Sequence, residues 1–137
     1  MKYLEILKDE LSKKTFVEGL IRLAKADGSI CAEEQSYFMS ASQGLGLTQE
    51  SLEEVQGCLV SDAPIPVHFD TKREAVLLIR EGIQLCFLDE NYDENERSEI
   101  RSIAKDLGVS EETVVEIEAW AQEGMDWKYR GDRFLNC

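Results

Sequence analysis

The chain contains, at residues 85–109, the stretch LCFLDENYDENERSEIRSIAKDLGV, and an earlier segment has the same layout. A shift of 62 positions places Asp27 on Asp89 and Glu34 on Glu96. The ungapped match continues through Phe38 with Ile100, Leu45 with Leu107, Gly46 with Gly108, and Thr48 with Ser110. We interpret the pattern as a duplicated helical unit, because such a unit can bury its apolar face by packing against its own copy.

Apolar residues recur at helical spacing in every long segment, and no segment alternates apolar and polar residues as a half-buried strand does. The sequence therefore predicts an all-α fold, a bundle of about seven helices built from two pseudo-symmetric helix-loop-helix repeats. A length of 137 residues suits a single domain with its own core. Within 1–137 we expect repeat one at about 15–60, a connector with two prolines at 61–70, repeat two at about 71–123, and a C-terminal tail at 124–137.

The two ends of the chain have the least regular patterns. Residues 3–13 predict one amphipathic helix that turns Leu11 toward the core. The last long helix is expected to follow a Ser110 cap, to turn Trp120 inward, and to end at Gly124. The remainder, MDWKYRGDRFLNC, is aromatic and locally basic, and we assign it no structure. It either docks on another protein or folds back over the acidic bundle.

The charge balance is strongly acidic, with 28 acidic and 15 basic residues and a net charge of −13. Such a surface repels the phosphates of nucleic acids and of anionic membranes, and it attracts cations and basic protein faces. We expect protein partners, basic or membrane-associated, and no nucleic-acid binding. We also expect no direct membrane insertion, since no apolar run reaches 18 residues. The charged start MKYLEILKDELSKK differs from a signal peptide, which predicts a cytoplasmic protein.

Few residues are of the types that carry enzyme chemistry. The four cysteines form no CxxC pair, and the single histidine, His68, lies in the connector. These residues offer too few ligands for ordinary structural zinc, and the sequence places no nucleophile beside a base. We therefore expect that the protein is not an enzyme. The enzyme alternative is a hydrolase whose clustered carboxylates hold a metal that activates water.

Acidic side chains surround the helix-helix turn in both repeats, and oxygen ligands of this kind suit calcium or magnesium. The second loop matches an EF-hand at the first, third and fifth positions through Asp89, Asn91 and Asp93. Glu94 replaces the glycine of the sixth position, and Ile100 replaces the glutamate of the twelfth. The loop is therefore not an EF-hand. A cation site here needs a Glu of the following helix to reach back toward the Asp before the loop.

Helix capping explains some of the same acids without a ligand. Asp93 and Glu96 have the spacing of a capping box, in which each side chain bonds the backbone amide of the other residue. Capping does not explain why Asp27, which precedes its helix, matches Asp89. Cation binding on one hand, and capping with solubility on the other, both remain open as roles of the acidic loops.

The acidic segments ADGSICAEE at 26–34 and DENYDENE at 89–96 resemble the two signatures of the TerB-like tellurite-resistance domain family. A related domain occurs in membrane-anchored J-domain co-chaperones. The resemblance covers roughly Thr15 to Glu123 and implies an all-helical bundle of two pseudo-symmetric halves. It also implies a stress-response role without a catalytic reaction, and a divalent metal held by acidic residues. The matching positions are Asp27, Glu34, Asp89, Asp93 and Glu96.

Together these features predict a non-catalytic cytosolic helical module of the TerB-like type. Such a module binds a divalent cation, calcium or magnesium, through its acidic inter-helix loops, and it acts through protein–protein contacts. The alternative is a metal-free acidic protein-interaction module, in which the acids cap helices and keep the protein in solution.

Overall fold

The structure is a computed structural model that describes residues 3–28, 30–88 and 92–136. The all-α prediction is confirmed, since these residues form seven α-helices, two short 3-10 turns and no strand. The helices are α1 Tyr3–Ile6, α2 Glu10–Ala24, α3 Ala32–Gly44, α4 Gln49–Val60, α5 Lys72–Leu88, α6 Glu94–Leu107 and α7 Glu111–Asp132. The 3-10 turns are Lys25–Asp27 and Arg133–Asn136. In the part of the chain so described, no helix has the length and apolarity needed to cross a membrane.

The helix starts repeat along the chain with the spacing of the sequence match. The helices α5, α6 and α7 each begin 62 residues after α2, α3 and α4 respectively. Gly46 and Gly108, which follow α3 and α6, both have positive φ angles, of 77° and 74°. Side chains rarely adopt that conformation, so glycine ends both helices at the same place. The arrangement of the two repeats as pseudo-symmetric halves stays a prediction.

Side-chain caps explain why the helices begin where they do. Before α2, Asp9 Oδ1 accepts a hydrogen bond from the Ser12 amide at 2.7 Å. Before α5, Thr71 and Glu74 accept each other's backbone N–H through Oγ1 and Oε1, at 3.2 and 3.1 Å. The hydroxyls of the caps of α4 and α7 accept from the amides three residues on, in the pairs Thr48–Ser51 and Ser110–Thr113. These bonds satisfy amides that have no partner inside a helix.

The core is organised around α2 and α5. The helix α2 packs on α3, α4, α5 and α6, while α5 packs on α2, α6 and α7. A Cβ added at Gly82 in α5 would lie 2.9 Å from Leu23 Cδ2 and 3.3 Å from Ile100 Cδ1, which is closer than ordinary packing allows. Glycine at this position therefore lets α2 and α6 approach α5. Fully buried side chains of the central pair include Val17, Ile21, Ile79 and Ile83.

The predicted single helix over residues 3–13 is wrong. The chain forms α1, leaves the helical conformation, and starts again at Glu10 after the Asp9 cap. Leu7, in the break, is fully buried, whereas Leu11 is 64% exposed. The Asp9 side chain competes for the amide of Ser12, and this local bond favours a new helix start over a continuous helix.

The expected end of the last helix at Gly124 is also wrong. The helix α7 continues through Gly124 to Asp132, and the next four residues form a 3-10 turn. Trp120 does not point inward, since it is 46% exposed. A glycine inside an exposed helix costs about 1 kcal/mol, which the rest of a 22-residue helix can offset. The tail therefore extends α7 instead of folding back over the bundle.

The connector 61–70 has no helix, as its two prolines predict. It is extended against the bundle, and the alternate residues Ile65, Val67 and Phe69 are buried. Arg22 of α2 also donates from Nη1 to the Ile65 carbonyl at 3.4 Å. The connector is therefore part of the core and not a free linker.

Candidate functional site

The predicted acidic site residues within the described chain bond to helix starts. The carboxylate of Glu34 accepts from the Cys31 amide at 3.2 Å. Asp93 Oδ1 accepts from the Glu96 amide at 2.8 Å, and Glu96 Oε1 accepts from the Asp93 amide at 3.2 Å. Glu34 is exposed, whereas Glu96 is buried. The capping interpretation of these three acids is thus supported by their hydrogen bonds.

The other two predicted ligands cannot be placed. Asp89 lies outside the described residues, and so does the side chain of Asp27, although the Asp27 backbone closes the first 3-10 turn. Among the residues that are described, no group of three or more His, Cys, Asp and Glu side chains is arranged to hold a metal ion. The divalent-cation site therefore stays a prediction.

A partly buried carboxylate, that of Glu118, ties the start of α6 to α7. Glu118 accepts from the Tyr92 hydroxyl at 2.6 Å, from Arg97 at 3.2 Å, and from Arg101 at 2.8 and 3.0 Å. The Arg97 guanidinium also lies 4.4 Å from the centre of the Tyr92 ring. Burial alone raises the pKa of Glu118, but the bonds from Arg101 and Tyr92 outweigh it, so the pKa falls below its ordinary value. This network is a structural clamp with every member paired.

A cleft of about 400 Å³ opens between α2, α3 and α5, and we call it the first cleft. Its walls are mainly aromatic and aliphatic, and they include Phe16, Leu20, Tyr37, Phe38, Leu85 and Leu88. A carboxylate, that of Glu81, lines the same space. Concave, mostly apolar pockets of this size with a few polar groups are typical of binding sites. The first cleft is therefore the candidate site that the geometry favours.

The polar group of the first cleft is held in place from two sides. Glu81 accepts from the Tyr3 hydroxyl at 3.0 Å, and it accepts from Arg80 Nη2 at 2.7 Å and Nε at 3.1 Å. Burial, followed by the neighbouring Glu81 charge, raises the pKa of Tyr3 to about 12. Tyr3 therefore keeps its proton at neutral pH and anchors α1 to α5 at the edge of the cleft.

At the positions that match the first cleft in the 62-residue shift, Arg22 and the connector take up part of the space, and a surface depression of about 700 Å³ remains beside them. We call this place the filled groove. Arg22 occupies it and donates to Glu99 at 2.6 Å, to Ser102 at 2.9 Å and to Asp106 at 2.9 Å. The connector around Ile65 lies over the same place. Gln84, which stands 62 positions after Arg22, instead lines the open first cleft.

Small side chains keep the first cleft open. Ala41 and Gly44 of α3 line it, and their counterparts in α6 are Ile103 and Asp106. Ile103 is fully buried, and α6 packs on both α2 and α5. These residues, like Glu81, were not among the sequence-predicted site residues. A comparison of residues 62 positions apart could have indicated this cleft, because the later segment has bulkier or charged residues where the earlier one has small residues.

A second apolar cleft, of about 570 Å³, lies between the end of α5 and the C-terminal half of α7, and we call it the α7 cleft. Trp120, Met125 and Trp127 line it, together with Leu88, and Trp127 is 73% exposed. Gln84 and Leu88 belong to the walls of both clefts. The first cleft and the α7 cleft are therefore neighbours, and we call the two together the two-cleft surface.

Cys58 has a close acidic neighbour and the chemistry of a structural thiol. Its Sγ donates to Glu18 at 3.1 Å. Burial, followed by the bond to Glu18, raises the pKa of Cys58 to about 12. Only the thiolate is a strong nucleophile, so this arrangement suppresses reactivity at neutral pH.

Comparisons with protein-family models, with curated proteins and with solved structures gave no match to this chain. The resemblance to the TerB-like family therefore stays a prediction.

Proposed function

We propose that this protein is a non-catalytic helical module of the cytoplasm that binds a protein partner through the two-cleft surface. The observation that carries the proposal is a pair of neighbouring, mainly apolar clefts on a strongly acidic chain. Leu88, at its centre, is 54% exposed, and Trp127 is more exposed still. Apolar regions of this kind on a protein surface mark interaction sites.

The acidic loops fit this proposal in its metal-free form. Glu34, Asp93 and Glu96 all stabilise helix starts through the bonds described above. The whole chain has a net charge of −13, which favours a partner with a basic face. A TerB-like role in a stress-response assembly is compatible with such a module, and the divalent cation of that family is tested separately below.

The test compares partner capture by the parent protein with capture by a variant whose first cleft is filled. Ala41→Ile places in the first half the side chain that the second half has at the matching position, so it blocks the cleft without exposing new surface. Val60→Ser is the matched control, because Val60 is an exposed apolar residue of α4 and does not line either cleft.

The expected result is that partners held by the parent and by Val60→Ser at low salt are lost from Ala41→Ile. The same partners should protect α3, the end of α5 and α7 from hydrogen exchange. Equal capture by all three proteins, or protection confined to other helices, would contradict the proposal. Salt sensitivity separates the electrostatic part of the contact from the apolar part.

A further inference from the structure

The end of α7 is an unusually exposed apolar segment. The helix α4 has 12 residues and its counterpart α7 has 22, so α7 extends ten residues beyond the matching length. Beyond Trp127, the 3-10 turn presents Phe134 and Leu135, which are 83% and 84% exposed. Each such side chain loses about 2 kcal/mol of favourable transfer free energy by staying in water. This segment gains stability when another surface covers it.

The charge of this segment is opposite to that of the chain. Residues 127–134 contain Lys128, Arg130 and Arg133 with one acid, Asp132, in a protein whose net charge is −13. The three basic residues are exposed. The net negative charge of another copy therefore attracts the segment at long range. Lys128 and Arg130 also line the α7 cleft, so like charges oppose the segment there, whereas the charged residue in the wall of the first cleft is Glu81.

The chain cannot place this segment in its own first cleft while α7 stays helical. The helix is continuous to Asp132 and packs on α5, and Trp127 lies beside the α7 cleft on the same chain. Trp127 does not line the first cleft of its own chain. An aromatic side chain that fills the first cleft therefore comes from a second molecule.

We propose that two copies of this chain associate reciprocally, with the α7 end of each lying in the first cleft of the other. The inference rests on the proposed function, because it names the occupant of the same surface. Trp127 and Phe134 are the aromatic anchors, and the first cleft of the other copy, with Glu81 in its wall, receives an anchor. The contact uses the same patches on both copies, so it has two-fold symmetry and closes as a dimer.

Sedimentation equilibrium across a wide range of protein concentration measures this association. The parent and Val60→Ser should be dimers. Trp127→Ala with Phe134→Ala, and separately Ala41→Ile, should weaken dimerisation by about tenfold or more, because each removes one side of the anchor contact. Both changes leave the core intact, and circular dichroism of each variant verifies that it is folded.

A mixing experiment separates a reciprocal exchange from other dimers. The variant with Trp127→Ala and Phe134→Ala retains an unchanged first cleft. The Ala41→Ile variant retains an unchanged α7 end. Mixed in equal amounts, the two variants should form a heterodimer with one of the two contacts restored, more strongly than either variant pairs with itself. A dimer that neither variant weakens, or a mixture no more associated than its components, would overturn the inference.

Failure of this inference and failure of the proposed function give different results. The parent protein could be monomeric at all concentrations and yet lose a captured partner when Ala41 is replaced by Ile. That result would overturn self-association and support the partner-binding module. If each variant weakens the dimer but Ala41→Ile captures the same partners as the parent protein, self-association stands and the proposed function is wrong.

Discussion

The first cleft and the filled groove stand at positions that match in the 62-residue shift, yet the first is mainly apolar while the second is polar and partly occupied by Arg22 and the connector. The residue pairs that differ are Tyr37 with Glu99, Ala41 with Ile103, Gly44 with Asp106, and Gln84 with Arg22. In the filled groove, Arg22 bonds its acidic partners across helices. In the first cleft, small and apolar residues leave space. A few residue differences at matching positions thus separate an ion-paired groove from an apolar cleft.

The largest expected effect comes from opening the filled groove at its buried centre. Ile103→Ala should lower the free energy of unfolding by about 3 kcal/mol, because Ile103 is fully buried and its removal leaves a cavity. Ala41→Ile, the reverse change in the first cleft, should alter stability by less than about 1 kcal/mol, because open space receives the new side chain. Urea unfolding curves of both variants measure the difference. A similar loss in both would show that the first cleft is as tightly packed as the filled groove.

A smaller loss is expected when the polar side chain that closes the groove is removed. Arg22→Gln gives α2 the residue found at the matching position of α5. It should cost about 2 kcal/mol, because Arg22 is mostly buried and Glu99 and Asp106 lose a charged donor. Thermal melts measure this change. Gln84→Arg is the control, and its exposed side chain should leave the melting temperature nearly unchanged.

The caps of α3 and α6 offer a comparison at the level of about 1 kcal/mol. Asp93→Ala removes the carboxylate that accepts from the Glu96 amide, and it should destabilise the protein by about 1 kcal/mol. Cys31 stands at the equivalent position before α3, so Cys31→Asp should stabilise by up to about 1 kcal/mol. Chemical unfolding measures both variants. Opposite signs are expected, and equal signs would mean that the two helix starts are not equivalent.

The smallest expected effect is that of divalent cations. If the acidic loops serve only as caps, millimolar calcium or magnesium should leave the melting temperature of chelator-stripped protein unchanged. A cation bound only to the folded state, at about 100 times its dissociation constant, adds about 2.7 kcal/mol, which a melt detects readily. A rise that disappears in Asp27→Asn or Asp89→Asn would restore the predicted metal site and identify its loop.

The sequence was sufficient for the helical class and for most helix starts, because those features depend on local interactions. Asp93, Thr48 and Ser110 bond amides within three residues, and Gly108 adopts a positive φ that other residues avoid. Helix caps and glycines of this kind can be recognised from the sequence without knowledge of the tertiary structure. The predicted starts of α6 and α7 agree with the structure for this reason.

The open cleft could not be predicted from helical periodicity. Periodicity identifies the apolar face of a helix, but it does not say whether a neighbouring helix covers that face. Tyr37 and Leu88 belong to apolar faces, and their exposure depends on how close α3 comes to α5. Trp120 was placed inward for the same reason. The continuation of α7 through Gly124 does not follow from local propensity, because glycine disfavours a helix only modestly and the remaining residues of α7 offset that cost.

The filled groove also bears on how many contacts one molecule can make. Arg22 and the connector contact each other at this place, so a chain that uses the first cleft as its receptor has that receptor once. One receptor and one α7 end per chain permit an open filament if the contacts run head to tail, and they permit a closed pair only if the exchange is reciprocal. The size of any assembly therefore distinguishes the two arrangements.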